Sequence, residues 1–250
     1  MQRLLAVLVV VGTSLGWFGA SAAHAGSFDI VPISITLSPA ASTGMLVLTN
    51  KGAELVRFHV TAFAWDQAAD GEMVVKPTND IVFFPAMVSL NPGEARKIRV
   101  GVNVKPGAVE RSYRVFVQEL PKLVKVNDDS TSAVHMLTKM GIPVFFEAAT
   151  RKAVPAVSGL AIKGTRVSFS ATNRGTAHYR AEKIVLSAKD ASKVVHSEEV
   201  KGWYVLAGGT RAYVVELPQA ACATLKSLQV DLQSDRGDAK AVLANARCGP

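Results

Sequence analysis

The chain has 250 residues, with 28 Lys and Arg against 20 Asp and Glu, and only two cysteines. That length accommodates one large domain or two of ordinary size. Its formal charge of +8 comes without a Lys/Arg run or an arginine-rich helix, which excludes the usual nucleic-acid footprint and points to acidic surfaces or carboxylates instead.

The chain opens "MQRLLAVLVVVGTSLGWFGASAAHAGSF", with a basic Arg3, an apolar run from Leu4 to Val11, and Ala23-His24-Ala25 before Gly26. Basic start, apolar run and small-x-small site are the layout of a secretory signal peptide. An uncleaved anchor helix is the other reading, but it needs about 20 apolar residues, and Gly12 to Ser14 interrupt this run. Residues 1–25 are therefore read as a signal peptide. No later stretch is apolar enough for stable membrane insertion.

After Gly26 nearly everything reads as strand. "GMLVLTN" (44–50), "LVRFHVTAFAW" (55–65), "RKIRVGVNV" (96–104) and "YRVFVQEL" (113–120) are short, β-branched and aromatic. Turn chemistry bounds them: Asn50-Lys51-Gly52, Asp70-Gly71, Asn91-Pro92-Gly93 and Lys105-Pro106-Gly107. The second half repeats the style in "TRVSFSATN", "AEKIVLSAKD", "TRAYVVEL" and "SLQVDLQS". No long helical period suggests βαβ units, so the pattern predicts antiparallel sandwiches.

A faint internal repeat divides the chain. "LTNKGAELVRFHVTAFAWD" (48–66) resembles "ATNRGTAHYRAEKIVLSAKD" (171–190), and "LNPGEARKIRV" (90–100) resembles "VLAGGTRAYVV" (205–215). The fold class is therefore all-β, two sandwiches in tandem, spanning residues 26–150 and 151–250. The boundary is expected within "EAATRKAVPAVSG" (147–159), which is small, basic and proline-containing.

Cys222 and Cys248 lie near the end of a chain read as exported, which predicts a disulfide between them; two buried thiols are the alternative. His59, His135, His178 and His196 are scattered outside any metal or triad motif, and the glycine turns lack a strand–loop–helix context. The expectation is a protein that is not an enzyme and needs no cofactor.

Four stretches carry a family resemblance: "LTNKG" after an early strand, "LNPGEARKIRVGV", "RSYRVFVQELP", and "GIPVFFEA" closing the first half. In their order and spacing the chain resembles the periplasmic pilus-assembly chaperones, partners of outer-membrane ushers. "GWYVLAGGTR" and the late cysteines look like the archaic branch of that family. The resemblance implies immunoglobulin-like sandwiches and a periplasmic protein. It also implies pilin or fimbrial subunits and an outer-membrane usher as partners. A secreted immunoglobulin-like adhesive or structural module is the alternative reading.

The family's mechanism is donor-strand complementation, in which the last strand of the first domain is lent to an incomplete subunit. In "SAVHMLTKMGIPVFFEA" (132–148) one parity carries Val134, Met136, Thr138 and Met140, then Ile142, Val144 and Phe146. The resemblance makes Val134, Met136, Thr138 and Met140 the donor row, and Ile142, Val144 and Phe146 intramolecular core.

Family members also anchor the subunit's terminal carboxylate with an arginine on the first strand and a lysine on the last. Here the first strand, "VPISITLSP", offers Ser34 or Ile35, and Pro143 stands at the lysine position. Lys139, on the parity opposite the donor row, with Arg114 as its partner, is the expected replacement. Arg111 is the alternative, and ordinary solvated strand charge is the bland reading of all three. Arg99 and Glu110 match two members of an interdomain ion-pair cluster, whereas the third position reads Glu147.

Overall fold

The computed structural model describes residues 28–68, 70–121 and 136–249. In chain order the first half contains β1 (Phe28–Val31), β2 (Ile35–Leu37), β3 (Thr43–Asn50), β4 (Val56–Gln67) and β5 (Met73–Pro77). There follow β6 (Ile81–Phe84), β7 (Met87–Leu90), β8 (Ala95–Val102), β9 (Arg111–Glu119) and β10 (Lys139–Phe146). The second half contains β11 (Pro155–Lys163), β12 (Arg166–Asn173), β13 (Tyr179–Asp190), β14 (Lys193–Val200) and β15 (Tyr204–Val205). It closes with β16 (Thr210–Glu216), a single helical turn α1 (Gln219–Cys222), β17 (Ser227–Ser234) and β18 (Ala239–Ala244).

These strands make two immunoglobulin-like sandwiches in tandem. In the first, the sheet β1-β3-β8-β6 faces the sheet β2-β10-β9-β4-β5, with β7 also beside β4. In the second, β11-β12-β16 faces β14-β13-β17-β18, with β15 against the start of β13. Period-two alternation builds both cores, because successive side chains on a strand point to opposite faces. Leu46, Leu48, Ile98 and Val100 meet Phe58, Val60, Val115, Val117, Ile142 and Val144 in the first. Val167, Phe169 and Val215 meet Ile184, Leu186, Leu228, Val230 and Leu232 in the second.

The internal repeat is one structural device used twice. Asn50 donates from Nδ2 to Glu54 O (2.7 Å) and Leu90 O (3.1 Å), and its Oδ1 accepts from the Gly52 amide at 2.9 Å. Asn173 donates to Ala177 O (2.8 Å) and Val205 O (3.2 Å), and accepts from the Gly175 amide at 2.9 Å. Both side chains are buried, so each satisfies main-chain groups that would otherwise be stranded in the core. The turns that approach them match as well: Gly93 and Gly208 hold φ of +76° and +71°, which favours glycine.

One expectation needs correction. The stretch "VPISITLSP" is not a single first strand. Pro32 has no N–H for the ladder, and β1 ends at Val31; the chain then crosses to the facing sheet, where β2 pairs parallel with β10. Ser34 lies in that crossing and not on a strand.

Cys222 and Cys248 form a disulfide that ties the residues after β18 to α1. No helix among the described residues is long and apolar enough to cross a membrane.

Candidate functional site: a strand edge beside an interdomain cleft

β10 is the last strand of the first sandwich, and among the described residues half of one of its sides is without a partner strand. It pairs antiparallel with β9 from Lys139↔Gln118 to Phe146↔Arg111. On its other side β2 pairs only with Val144, Phe145 and Phe146. The Glu119 amide donates to Thr138 O at 2.8 Å, and bonded and non-bonded pairs alternate along an antiparallel ladder. Met140, Ile142 and Val144 therefore bond toward β9, while Lys139, Gly141 and Phe145 turn their main-chain groups the other way. The Glu147 amide, bonded to Leu37 O at 2.9 Å on the β2 side, has the same parity. Among the described residues, no strand takes up the amide and carbonyl of Lys139 or the amide of Gly141.

The side chains on this strand divide by position. Ile142, Val144 and Phe146 are at most 2% exposed and belong to the first core. Met140 is half-buried and packs against that core. Met136 is 78% exposed and Leu137 44%, and Thr138 is also exposed, its amide donating to Glu119 Oε2 at 3.3 Å. Val134 lies outside the described residues.

The buried end of β10 runs into a cleft between the two sandwiches. Trp65, Phe145 and Leu206 form a small core of their own there, with Tyr204 packed against it. The rings of Phe145 and His178 stack at 3.5 Å. Glu110 accepts from His178 twice: from the amide at 3.0 Å and, in the tautomer that makes Nδ1 a donor, from the ring at 2.6 Å. Gln67 accepts from the Leu206 amide (2.8 Å) and donates to Tyr204 O (2.7 Å). Arg211 donates to Gly71 O at 2.8 Å. These contacts explain why Ile142 to Phe146 are buried on both parities: the even side chains enter the core, while Pro143 and Phe145 are closed over by the cleft.

The four cations proposed from the sequence have different surroundings. Arg114 is only 5% exposed. Its guanidinium lies 3.9 Å over the Trp65 ring and 5.8 Å from that of Trp203. Its Nη1 donates to Gly141 O at 2.9 Å, whereas Nε and Nη2 are buried without an acceptor among the described residues. Burial pulls its pKa below the ordinary arginine value, and neighbouring Tyr204 opposes that shift. Arginine remains charged in proteins even so.

Lys139 is not brought to Arg114. It stands opposite Gln118, four places along the ladder from the Pro143↔Arg114 pair, with Nζ 4.5 Å over the Phe116 ring. Arg111 falls on the other parity of β9 and pairs with Asp80 at 3.4 Å. Arg99 is exposed on β8, so its expected pairing with Glu110 is corrected: Glu110 does reach across the domains, but to His178.

Sequence reasoning passed over Trp65, Phe145, His178, Trp203 and Tyr204. Their signal lies in large aromatics on the parity opposite the core row, such as Phe63 and Trp65 on β4, which a solvated sheet face would not need. Their meeting, however, depends on how two separate sandwiches are set against each other.

Residues 27–150 match the family of pili and flagellar-assembly chaperones, PapD N-terminal domain. No curated protein matches the chain by sequence. Among solved structures, the chaperone–tip adhesion subunit complex CsuC–CsuE, from the archaic Csu pili of Acinetobacter baumannii, matches with a TM-score of 0.55 at 19% identity. That match covers 78% of this chain and 94% of the other. The YadV chaperone matches with a TM-score of 0.58 at 14% identity, covering 87% and 98%. The Salmonella enterica SafA pilin–SafB chaperone complex matches with a TM-score of 0.55 at 12% identity, covering 89% and 99%. With its PapD N-terminal domain at residues 27–150 and its two-sandwich fold, the chain belongs to the family of PapD-like pilus chaperones.

Proposed function

We propose that the protein is a periplasmic chaperone that captures pilus or fimbrial subunits by donor-strand complementation and delivers them to an outer-membrane usher. The observation that carries this reading is the side of β10 upstream of Val144, which no strand among the described residues covers. An exposed strand edge supplies main-chain bonds to an added strand, while alternate side chains supply selectivity. Met136 and Thr138, exposed at its start, are the donor side chains on the described part of the row. Methionine adapts to irregular pockets, which suits a protein that serves several subunits. CsuC and SafB are each seen in complex with a subunit, which supports the same class of partner here. A secreted adhesive module would be expected to cover this edge, so the bare side of β10 favours the chaperone reading.

A subunit's terminal carboxylate is assigned to Arg114, beside this edge. Lys139 is a second, exposed cation further along the same face, and Arg111 is engaged with Asp80.

The test is co-expression with exported proteins encoded beside it, followed by recovery of complexes from the periplasm. The wild-type protein should retain a subunit that is degraded in its absence. Met136→Asp should abolish retention while leaving the circular dichroism and thermal unfolding unchanged, because a carboxylate desolvated in an apolar groove costs several kcal/mol. Retention by Met136→Asp equal to the wild type would exclude this edge.

A further inference from the structure

On the side of β10 that no strand among the described residues covers, the Gly141 carbonyl is nevertheless taken up. The Gly141 carbonyl has the parity that points away from β9, yet it accepts from Arg114 Nη1 at 2.9 Å. Arg114 belongs to β9, so its side chain reaches around the strand to cover that acceptor. The path is open because residue 141 is glycine: a Cβ there would stand 2.8 Å from the Phe116 ring, the neighbour of Arg114 on the same face.

The opposite edge of the same guanidinium is the reverse case. Nε and Nη2 are buried and lack an acceptor among the described residues, as does Nε1 of Trp65, the ring beneath them. A buried cation with unmet donors is costly unless an anion completes it. A forked guanidinium fits a carboxylate through two parallel bonds.

We propose that Arg114 is an edge cap: in the client-free protein it shields the Gly141 carbonyl, and a carboxylate arriving at Nε and Nη2 draws it away and opens that acceptor. This rests on the reading of β10 as a strand-adding edge. Anion capture and edge opening thereby become one event, and a strand lacking a terminal carboxylate meets a closed acceptor. Exposed edges invite indiscriminate pairing and are blunted in native proteins by charged side chains; here the charge is removable by the intended ligand.

The test uses formate as the probe, with sodium chloride of equal ionic strength as control. In isotopically labelled client-free protein, the Arg114 Nε–Hε and Gly141 carbonyl resonances should move together along one saturable curve. Fluorescence of Trp65 and Trp203, which flank Arg114, should change in step. Without formate, Arg114→Ala should already show the Gly141 carbonyl at the formate-saturated position. If that variant does not fold, Arg114→Lys should fold and weaken the formate response by about tenfold or more, having lost the fork.

A Gly141 carbonyl unchanged by Arg114→Ala would overturn the cap. Movement of Nε–Hε with a stationary carbonyl would overturn the exchange, and silence at both would overturn the site. Subunit retention separates the two readings. Retention with a silent titration defeats the cap alone, whereas a normal titration without retention defeats the chaperone reading and leaves an anion-gated edge.

Discussion

The two sandwiches share a frame and differ at their ends. Asn50 and Asn173 make the same three hydrogen bonds, to a turn that follows and to the strand end at Leu90 or Val205. In the second sandwich the final segment is secured: the Ala246 amide bonds Lys226 O at 2.9 Å, and Cys248 is joined to Cys222. In the first, no strand among the described residues pairs with that side of the final strand until β2 meets it at Val144. A repeated frame shows what the fold needs, so function is to be sought where the copies diverge. That divergence is β10 and the cleft it enters.

The largest stability effect should come from breaking the tie between the copies. His178→Ala removes the ring donor to Glu110 and the ring stacked on Phe145, leaving the buried carboxylate only the residue-178 amide. The lost charge-assisted bond, about 1.5–3 kcal/mol, and the cavity left against Phe145 together cost about 3–5 kcal/mol. Urea unfolding followed through Trp65 and Trp203 should shift to lower midpoint, and limited proteolysis should cut between β10 and β11 sooner. An unshifted midpoint would mean that the two sandwiches do not stabilise each other through this contact.

Next comes the end that only the second copy secures. Replacing Cys222 and Cys248 together by Ser opens a loop with a sequence separation of 26 residues, worth about 3 kcal/mol. The loss should appear in hydrogen exchange of β17 and β18 and leave β3 and β8 unchanged. Equal loss in both halves would show that they unfold as one unit and that the copies cannot be compared separately. Asn50→Ala and Asn173→Ala should then cost about 2 kcal/mol each by stranding buried main-chain groups, each in its own sandwich. Unequal costs would locate where the shared frame has drifted.

How much of this was legible in the sequence follows from the range of the interactions. "SLQVDLQS" is β17 residue for residue, and "TRVSFSATN" is β12 with one extra residue, because period-two alternation and turn chemistry are local. The asparagine device was legible as a repeated Thr-Asn-x-Gly, although its bonds to Leu90 and Val205 were not. Short strands such as β5, β7 and β15 carry too few residues for a period to stand out. The division of the first strand at Pro32 was misread because both pieces share one apolar rhythm. At the site, Arg114 was legible only as a cation on the strand beside Lys139, from which the fold separates it, and His178 was not legible, since it meets Glu110 across 68 positions of chain. The Gly141 contact is invisible for the same reason: which main-chain groups are left bare depends on where β2 stops.

The smallest predicted effect compares the copies through pH. Tyr113 and Tyr179 are fully buried tyrosines on different strands, one in each sandwich, bonded to Asp80 Oδ2 at 2.8 Å and Thr172 O at 3.2 Å. Burial raises both hydroxyl pKa values well above the ordinary tyrosine value, and for Tyr113 the Asp80 bond adds to the effect. The sign follows from linkage: unfolded tyrosine ionises near pH 10 while the folded group keeps its proton, so the folded state binds more protons above that pH. The stabilisation is complete below about pH 10 and drains away as pH rises through the folded values. Tyr113→Phe should therefore flatten the alkaline loss of stability in the first sandwich at a neutral-pH cost of about 1 kcal/mol for the Asp80 bond, and Tyr179→Phe should do so in the second. Hydrogen exchange at β9 and β13 between pH 9 and 11 separates the two, with Phe variants compared to wild type at each pH. A slope that persists in Tyr113→Phe would place the alkaline sensitivity of the first sandwich elsewhere, and the two sandwiches would then differ in what sets their alkaline limit.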